Sequence, residues 1–211
     1  TDASLNATNE FGYYTFPTIT IKPETEYIMV VARDGNDITI GELHTNRNLK
    51  AIMKLSDIKK DANNTPTSTI DINILTTAIA DAILNNIAAT YSITTTTDVS
   101  GATIRNVDDS VVVFSNASTL EQVIRDKEFN LKKNLGIDLT ADLAVDYINE
   151  SKTDSALVGI AKEAGNVITL INTIDKLDAS SNNYDIAVRG VSNVLTSYND
   201  GTTLDNNIGD G

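Results

Sequence analysis

At 211 residues the chain suits one large domain or two small ones, and its 29 acidic against 16 basic side chains leave a formal net charge of −13. That balance argues against a nucleic-acid partner, because neutralising phosphates needs a basic face that this sequence cannot assemble, while it is permissive for divalent cations. With no cysteine, disulfides, thiolate zinc sites and thiol catalysis are excluded, and a single histidine, His44, excludes clustered-histidine metal sites.

Apolar residues make up 41% of the chain and aromatics 5%, without tryptophan, so the core must be built mainly from Ile, Leu, Val and Ala. No run approaches the roughly 18 apolar residues of a membrane-spanning helix, and no signal-peptide pattern is present. The chain begins at Thr1 rather than Met, which suits a trimmed chain and a mature exported one equally.

Residues 1–56 read as β. Tyr13–Phe16 and Thr18–Ile21 alternate around Pro17, and after a turn at Lys22–Thr25 comes Glu26–Ala32, a nearly continuous apolar run rich in β-branched residues. Such a run predicts a strand buried on both faces or central in its sheet. Arg33–Asp37 is a turn by composition, Ile38–Ile40 a short alternating strand, and Leu49–Leu55 a last strand or a single helical turn. Residues 57–69 are polar, contain Asn63, Asn64 and Pro66, and read as a linker.

Beyond the linker the period changes to that of a helix. Ile74, Leu75, Ala78, Ile79, Ala82, Ile83 and Ile87 recur at helical spacing over 70–89, with Asp71 or Asn73 as cap. Residues 90–114 are Thr-rich, and Thr103–Arg105 with Val111–Phe114 predict a β-hairpin around Asn106–Asp109. Ser118-Thr119-Leu120-Glu121 is a capping-box pattern that opens a helix over 119–134, ended by Gly136. A short helix from Thr140 or Asp142 to Asn149 precedes the longest apolar stripe, Leu157, Ile160, Ala164, Val167, Ile171 and Ile174, which predicts a helix over 153–177 capped by Thr153-Asp154. Ala161, Ile168, Leu170 and Leu177 widen that stripe, so this helix is expected to be covered on more than one side, at the centre of a helical subdomain, with Ile168 and Ile171 buried. The last helix is placed at 183–198, with Ile186, Val188, Val191, Val194 and Leu195 facing inward.

The expected class is therefore α+β with segregated parts. An N-terminal antiparallel β-sandwich-like module over 1–56 is followed by the linker at 57–69 and a helical domain over 70–198. That domain is expected to hold about five helices with a hairpin excursion near 92–114, followed by a loose acidic tail at 199–211.

Two stretches carry a resemblance. Glu10–Phe16, with Gly12 and aromatics on both sides of it, followed by Glu26–Ala32, is similar to the second half of carboxypeptidase-regulatory-like (transthyretin-like) β-sandwich modules. Asn73–Ile79 and Asn134–Thr140 resemble signatures of the helical segments that follow such sandwiches in large exported surface proteins of bacteria and archaea. The resemblance implies a non-enzymatic, extracellular module and no active site. A family sandwich has further strands before the Gly-aromatic hairpin, where this chain has only residues 1–8, so the missing strand is expected to lie outside this sequence or to come from another chain.

Candidate sites are few. Asp34, Asn36, Asp37 and Glu42 offer oxygen ligands in one loop, as a calcium site needs, although without the EF-hand spacing; the ordinary reading is an Asx-rich turn. Calcium is the one candidate ion, and no cofactor is implied. Asp108-Asp109 and the tail residues Asp200, Asp205 and Asp210 carry a weaker form of the same signal. His44 lacks the Gly-x-Ser-x-Gly or comparable context of a catalytic histidine and reads as a loop residue. Glu42 and Asp57 have no spacing that supports a glycosidase pair. Asn6, Asn63, Asn116 and Asn149 fit the N-glycosylation pattern, which an Asn- and Thr-rich chain also produces by chance; Pro66 further disfavours Asn63.

These readings point to a structural module of a surface layer, adhesin stalk or filament, partnered by copies of itself or by neighbouring domains of a larger surface protein, with no membrane-spanning segment. A calcium- or ligand-binding adhesin domain is the alternative. Residues 1–9, with Ala3, Leu5 and Ala7 on one face of an extended strand, are the expected donor for strand pairing between subunits.

Overall fold

The structure, a computed structural model, describes residues 25–32, 35–37, 42–44, 48–58, 62–63, 71–84, 96–97, 103–106, 111–115, 120–147, 153–177 and 184–197. It is an α+β arrangement. Strands β1 (Thr25–Ala32), β4 (Leu49–Lys54), β5 (Thr96–Thr97), β6 (Thr103–Asn106) and β7 (Val111–Ser115) form one antiparallel sheet in the order β4-β1-β7-β6-β5. A separate two-stranded ladder joins β2 (Gly35–Asp37) to β3 (Glu42–His44). Four helices are described: α1 (Ile74–Leu84), α2 (Leu120–Leu135), α3 (Ala156–Leu177) and α4 (Tyr184–Thr196).

The apolar run of β1 is central, as its composition requires, with β4 on one side and β7 on the other. Tyr27 lies opposite both Lys54 and Phe114, Met29 opposite Ile52, and Val31 opposite Lys50. Directly opposed residues share a face of the sheet. Lys50, Ile52 and Lys54 therefore lie on the same face as Tyr27, Met29 and Val31, and that face meets the helices. A register shift between Thr25 and Tyr27 bulges the strand where Glu26 is exposed. β6 and β7 pair antiparallel within the segment read as a hairpin, and β7 continues the sheet onto β1. One sheet thus holds strands from before and after the polar stretch at 57–69. Leu49–Leu55 resolves as strand β4 followed by a 3₁₀ turn over Leu55–Asp57.

Helix α1 is the centre of the molecule: each of its 11 residues is buried. It packs against β4, α4, α2 and α3. A helix that is apolar nearly all round belongs in an interior, whereas one with a polar face belongs at a surface. This corrects the expectation that the 153–177 helix is central. In α3 only Ile160, Ala164, Val167 and Ile171 are fully buried, while Ile168, Leu170 and Leu177 face solvent. The polar positions between them, Lys162, Glu163, Asn166 and Lys176, claim the rest of the circumference.

Three further expectations are corrected. In α4 the inward stripe is Tyr184, Ala187, Val188 and Val191, and Ile186 and Val194 point outward. The short helix over 140–149 is replaced through residue 145 by turns. There Asp138 Oδ1 accepts the Thr140 N–H and Asp142 Oδ1 accepts the Ala144 N–H, local bonds that compete with helix formation. Finally, Gly35–Asp37, read as a turn, forms the first strand of the β2–β3 ladder. The strands expected at Tyr13–Phe16 and Thr18–Ile21 lie outside the described residues.

Candidate functional site

The densest polar arrangement in the interior joins the outer strand β4 to helix α1. Asn73 caps α1: its Oδ1 accepts the N–H groups of Leu75 at 2.9 Å and Thr76 at 3.0 Å, and Thr76 Oγ1 accepts the Asn73 N–H in return at 3.0 Å. This is a reciprocal capping box with Thr in the place usually held by Glu. Tyr147 packs in the same core, and burial pushes its hydroxyl pKa up to about 12. Asn73 Nδ2 donates to the Leu143 carbonyl at 2.7 Å, tying the turns after α2 to the start of α1. The N–H groups of Leu75, Thr76 and Thr77 are thus all taken up by Asn73.

One turn further, the Thr77 hydroxyl accepts the Lys50 backbone N–H at 2.8 Å and donates to the Asn73 carbonyl at 2.7 Å. The Lys50 carbonyl is also within 3.3 Å of that hydroxyl, so both backbone groups of Lys50 face away from β1 and toward α1. β4 is terminal in its sheet among the described residues, and α1 covers its open edge. On the inner face the Lys50 ammonium pairs with the Asp81 carboxylate, one turn beyond Thr77 on α1. Both are almost fully buried, at 3% and 2% exposure. Breaking a pair of this kind strands a charge in the interior, at a cost of about 3–5 kcal/mol.

A second, half-exposed network lies four residues along β4, at Lys54. Lys54 Nζ donates to Glu121 Oε2 at 2.5 Å, Arg125 pairs with the other oxygen from the next turn of α2, and the Tyr27 hydroxyl is 3.4 Å from Oε2. The hydrogen bonds from Lys54 and Arg125 hold the Glu121 carboxyl below the usual glutamate range, and the bond to Glu121 raises Lys54. Burial, then the neighbouring Glu121 charge, raises the Tyr27 hydroxyl.

The other end of α2 is equally bound. Gly136 takes φ +68°, the Ile137 N–H returns to the Lys132 carbonyl at 2.9 Å and the Gly136 N–H to that of Lys133. That is a Schellman stop, and it needs a residue free to enter the left-handed region. Asn130 Nδ2 donates to the Thr196 carbonyl at 3.1 Å, and Asn134 Nδ2 to the carbonyls of Leu195 and Ser197 at 2.8 and 3.1 Å, so two side chains of α2 hold the end of α4.

A cleft of about 340 Å³ opens between the turns after α2 and the first turns of α3, with Asp138, Asp142 and Glu163 beside Ile137, Leu157 and Ile160. Its carboxylates are occupied within the chain. The Thr140 hydroxyl and N–H hold Asp138 below the usual aspartate range, Asp142 accepts from Ala144, and Glu163 accepts from Asn166.

The residues singled out from the sequence fall elsewhere. Asp34 is outside the described residues; Asn36 and Asp37 are in β2 and Glu42 in β3, with Asp37 directly opposite Glu42 and Asn36 opposite Leu43. His44 pairs with Gly35 in the same ladder. Ala3, Leu5 and Ala7 of the expected assembly strand lie outside the described residues, as do the glycosylation candidates Asn6, Asn116 and Asn149. Asp57 is exposed and accepts from Ser56. Among the described residues no group of three or more His, Asp or Glu is placed to hold a metal ion, and no helix is long and apolar enough to cross a membrane.

Sequence reasoning missed the Lys50–Asp81 pair. Its one local signal is Asp81 itself, the only charged residue in an otherwise uncharged helical run. No family model matches the chain, and neither a curated protein nor a solved structure matches it.

Proposed function

We propose that the chain is a non-enzymatic structural module of an extracellular assembly, a subunit of a filament or surface layer or a segment of an adhesin stalk. The observation that supports this reading is where the interior polar groups are spent. Thr77, Lys50 and Asp81 bind strand to helix, Asn73 ties the start of α1 to the turns after α2, and Asn130 and Asn134 bind helix to helix, as a part that carries load between neighbours requires. In this reading the N-terminal β region is a sandwich-like module of the carboxypeptidase-regulatory-like kind, completed by an extended segment from the next copy. Residues 1–9 are the donor, through Ala3, Leu5 and Ala7. Because α1 occupies the β4 edge, the donated strand adds away from β4. A head-to-tail contact of that kind does not close on itself and grows a filament.

Deleting residues 1–8 tests the reading. The expected product is a folded subunit that no longer polymerises in negative-stain micrographs and is rescued by the free peptide. Unchanged assembly of the deletion variant, or a compact monomer from the intact chain at high concentration, rejects strand donation.

One placement favours a second reading, a calcium-binding adhesin domain: Asp37 and Glu42 share a cross-strand position next to Asn36. A bound cation would offset two acidic residues held opposite each other. Millimolar calcium should then raise the melting midpoint over that in chelator, and an unmoved midpoint removes calcium from the account.

A further inference from the structure

The Lys50–Asp81 pair has an uncommon setting. Lysine and aspartate are almost never fully buried unless paired, and even a good pair recovers the desolvation of its two ions only in part. This pair sits where α1 crosses the edge of the sheet, and its two residues are held there independently of their charges. Thr77 pins the Lys50 backbone from one side, and the capped, wholly buried α1 presents Asp81 from the other. Water is nearly excluded from both side chains. The chain has no cysteine, so no disulfide can staple these elements.

We infer that Lys50 and Asp81 condense to an amide, a covalent cross-link between β4 and α1 formed by the folded chain itself. Within the pair, transfer of one proton from the ammonium to the carboxylate yields the amine and the carboxylic acid that the condensation consumes. The Nζ lone pair adds to Cγ of Asp81. The tetrahedral adduct then loses a C–O bond, the departing hydroxyl takes a proton from nitrogen, and one water leaves. One N–C bond forms, one C–O bond breaks and nothing is oxidised or reduced.

Fixed geometry supplies the driving condition. Well-oriented groups in one molecule react as if at effective concentrations of about 10⁵–10⁸ M, and release of water from a closed site opposes hydrolysis of the product. Two ions that are costly to bury become one neutral amide, which needs only ordinary hydrogen bonds. The link would tie the sheet edge to the central helix, so that pulling on the chain could not peel β4 from α1.

The mass of the full chain under denaturing conditions tests this directly. The expected species is lighter than the sequence mass by one water, and proteolysis releases a branched peptide joining Lys50 to Asp81. Lys50→Arg should return to its full sequence mass, since a guanidinium does not condense. A wild-type chain at full sequence mass overturns the cross-link whatever the variants do. A loss of water that persists in Lys50→Arg, or that maps to a cyclic imide at another Asp, overturns it as well.

Discussion

Single side chains decide how the central helix begins and where it lies. Asn73 does three things at once: its Oδ1 caps two N–H groups of α1, its own N–H donates to the Thr76 hydroxyl oxygen, and its Nδ2 donates to the Leu143 carbonyl. Asn73→Ala should cost about 1–2 kcal/mol through the lost cap, measured by denaturant unfolding, with the burial of this helix end favouring the upper figure. Asn73→Asp retains the cap acceptor but cannot donate to Leu143, so it should fall between the two. The cap was legible in advance to within two candidates, Asp71 and Asn73, because Asp or Asn before an apolar helical run is a start signal. The role of Thr77 was not legible, since its partner Lys50 is 27 residues away and nothing local indicates a hydroxyl that serves another element's backbone.

At the scale of elements, the positions of α2, α3 and α4 followed from periodicity and capping, whereas the short helix expected over 140–149 did not. Gly136 ends α2 as its sequence context indicates, and α3 and α4 lie close to where their apolar spacing places them. Which side of each helix is inside followed less well. In α3, Ile171 is 1% exposed and Ile168 39% exposed, although both belong to an apolar stretch. Truncating Ile171 to Ala should therefore cost about 2–5 kcal/mol, whereas Ile168→Ala should change stability by less than about 1 kcal/mol. Equal losses at the two positions in chemical denaturation would mean that α3 is covered on both flanks.

For the whole molecule, the ionisable groups that tie the sheet to α2 contribute to the pH response. Glu121 has its pKa lowered in the folded state, so its contribution is present above the unfolded value and is lost as pH falls through the folded one, below the usual glutamate range. Acid unfolding monitored by circular dichroism should therefore depend less steeply on pH in that range for Glu121→Gln, and added salt should weaken the effect because the group is half-exposed. Tyr147 has the opposite sign. Its folded value is raised from 10.0 to about 12, so the folded state holds the proton more tightly, and stability should fall as pH rises across that interval. The sequence by itself determined the α+β class, the central strand at 26–32 and the stop at Gly136, because each rests on local pattern. Only the tertiary structure decided that α1 rather than α3 is the centre, that β7 lies beside β1, and that Lys50 meets Asp81. Those outcomes depend on which apolar faces compete for a limited interior and on strand pairing across tens of residues, neither of which leaves a local trace in the chain.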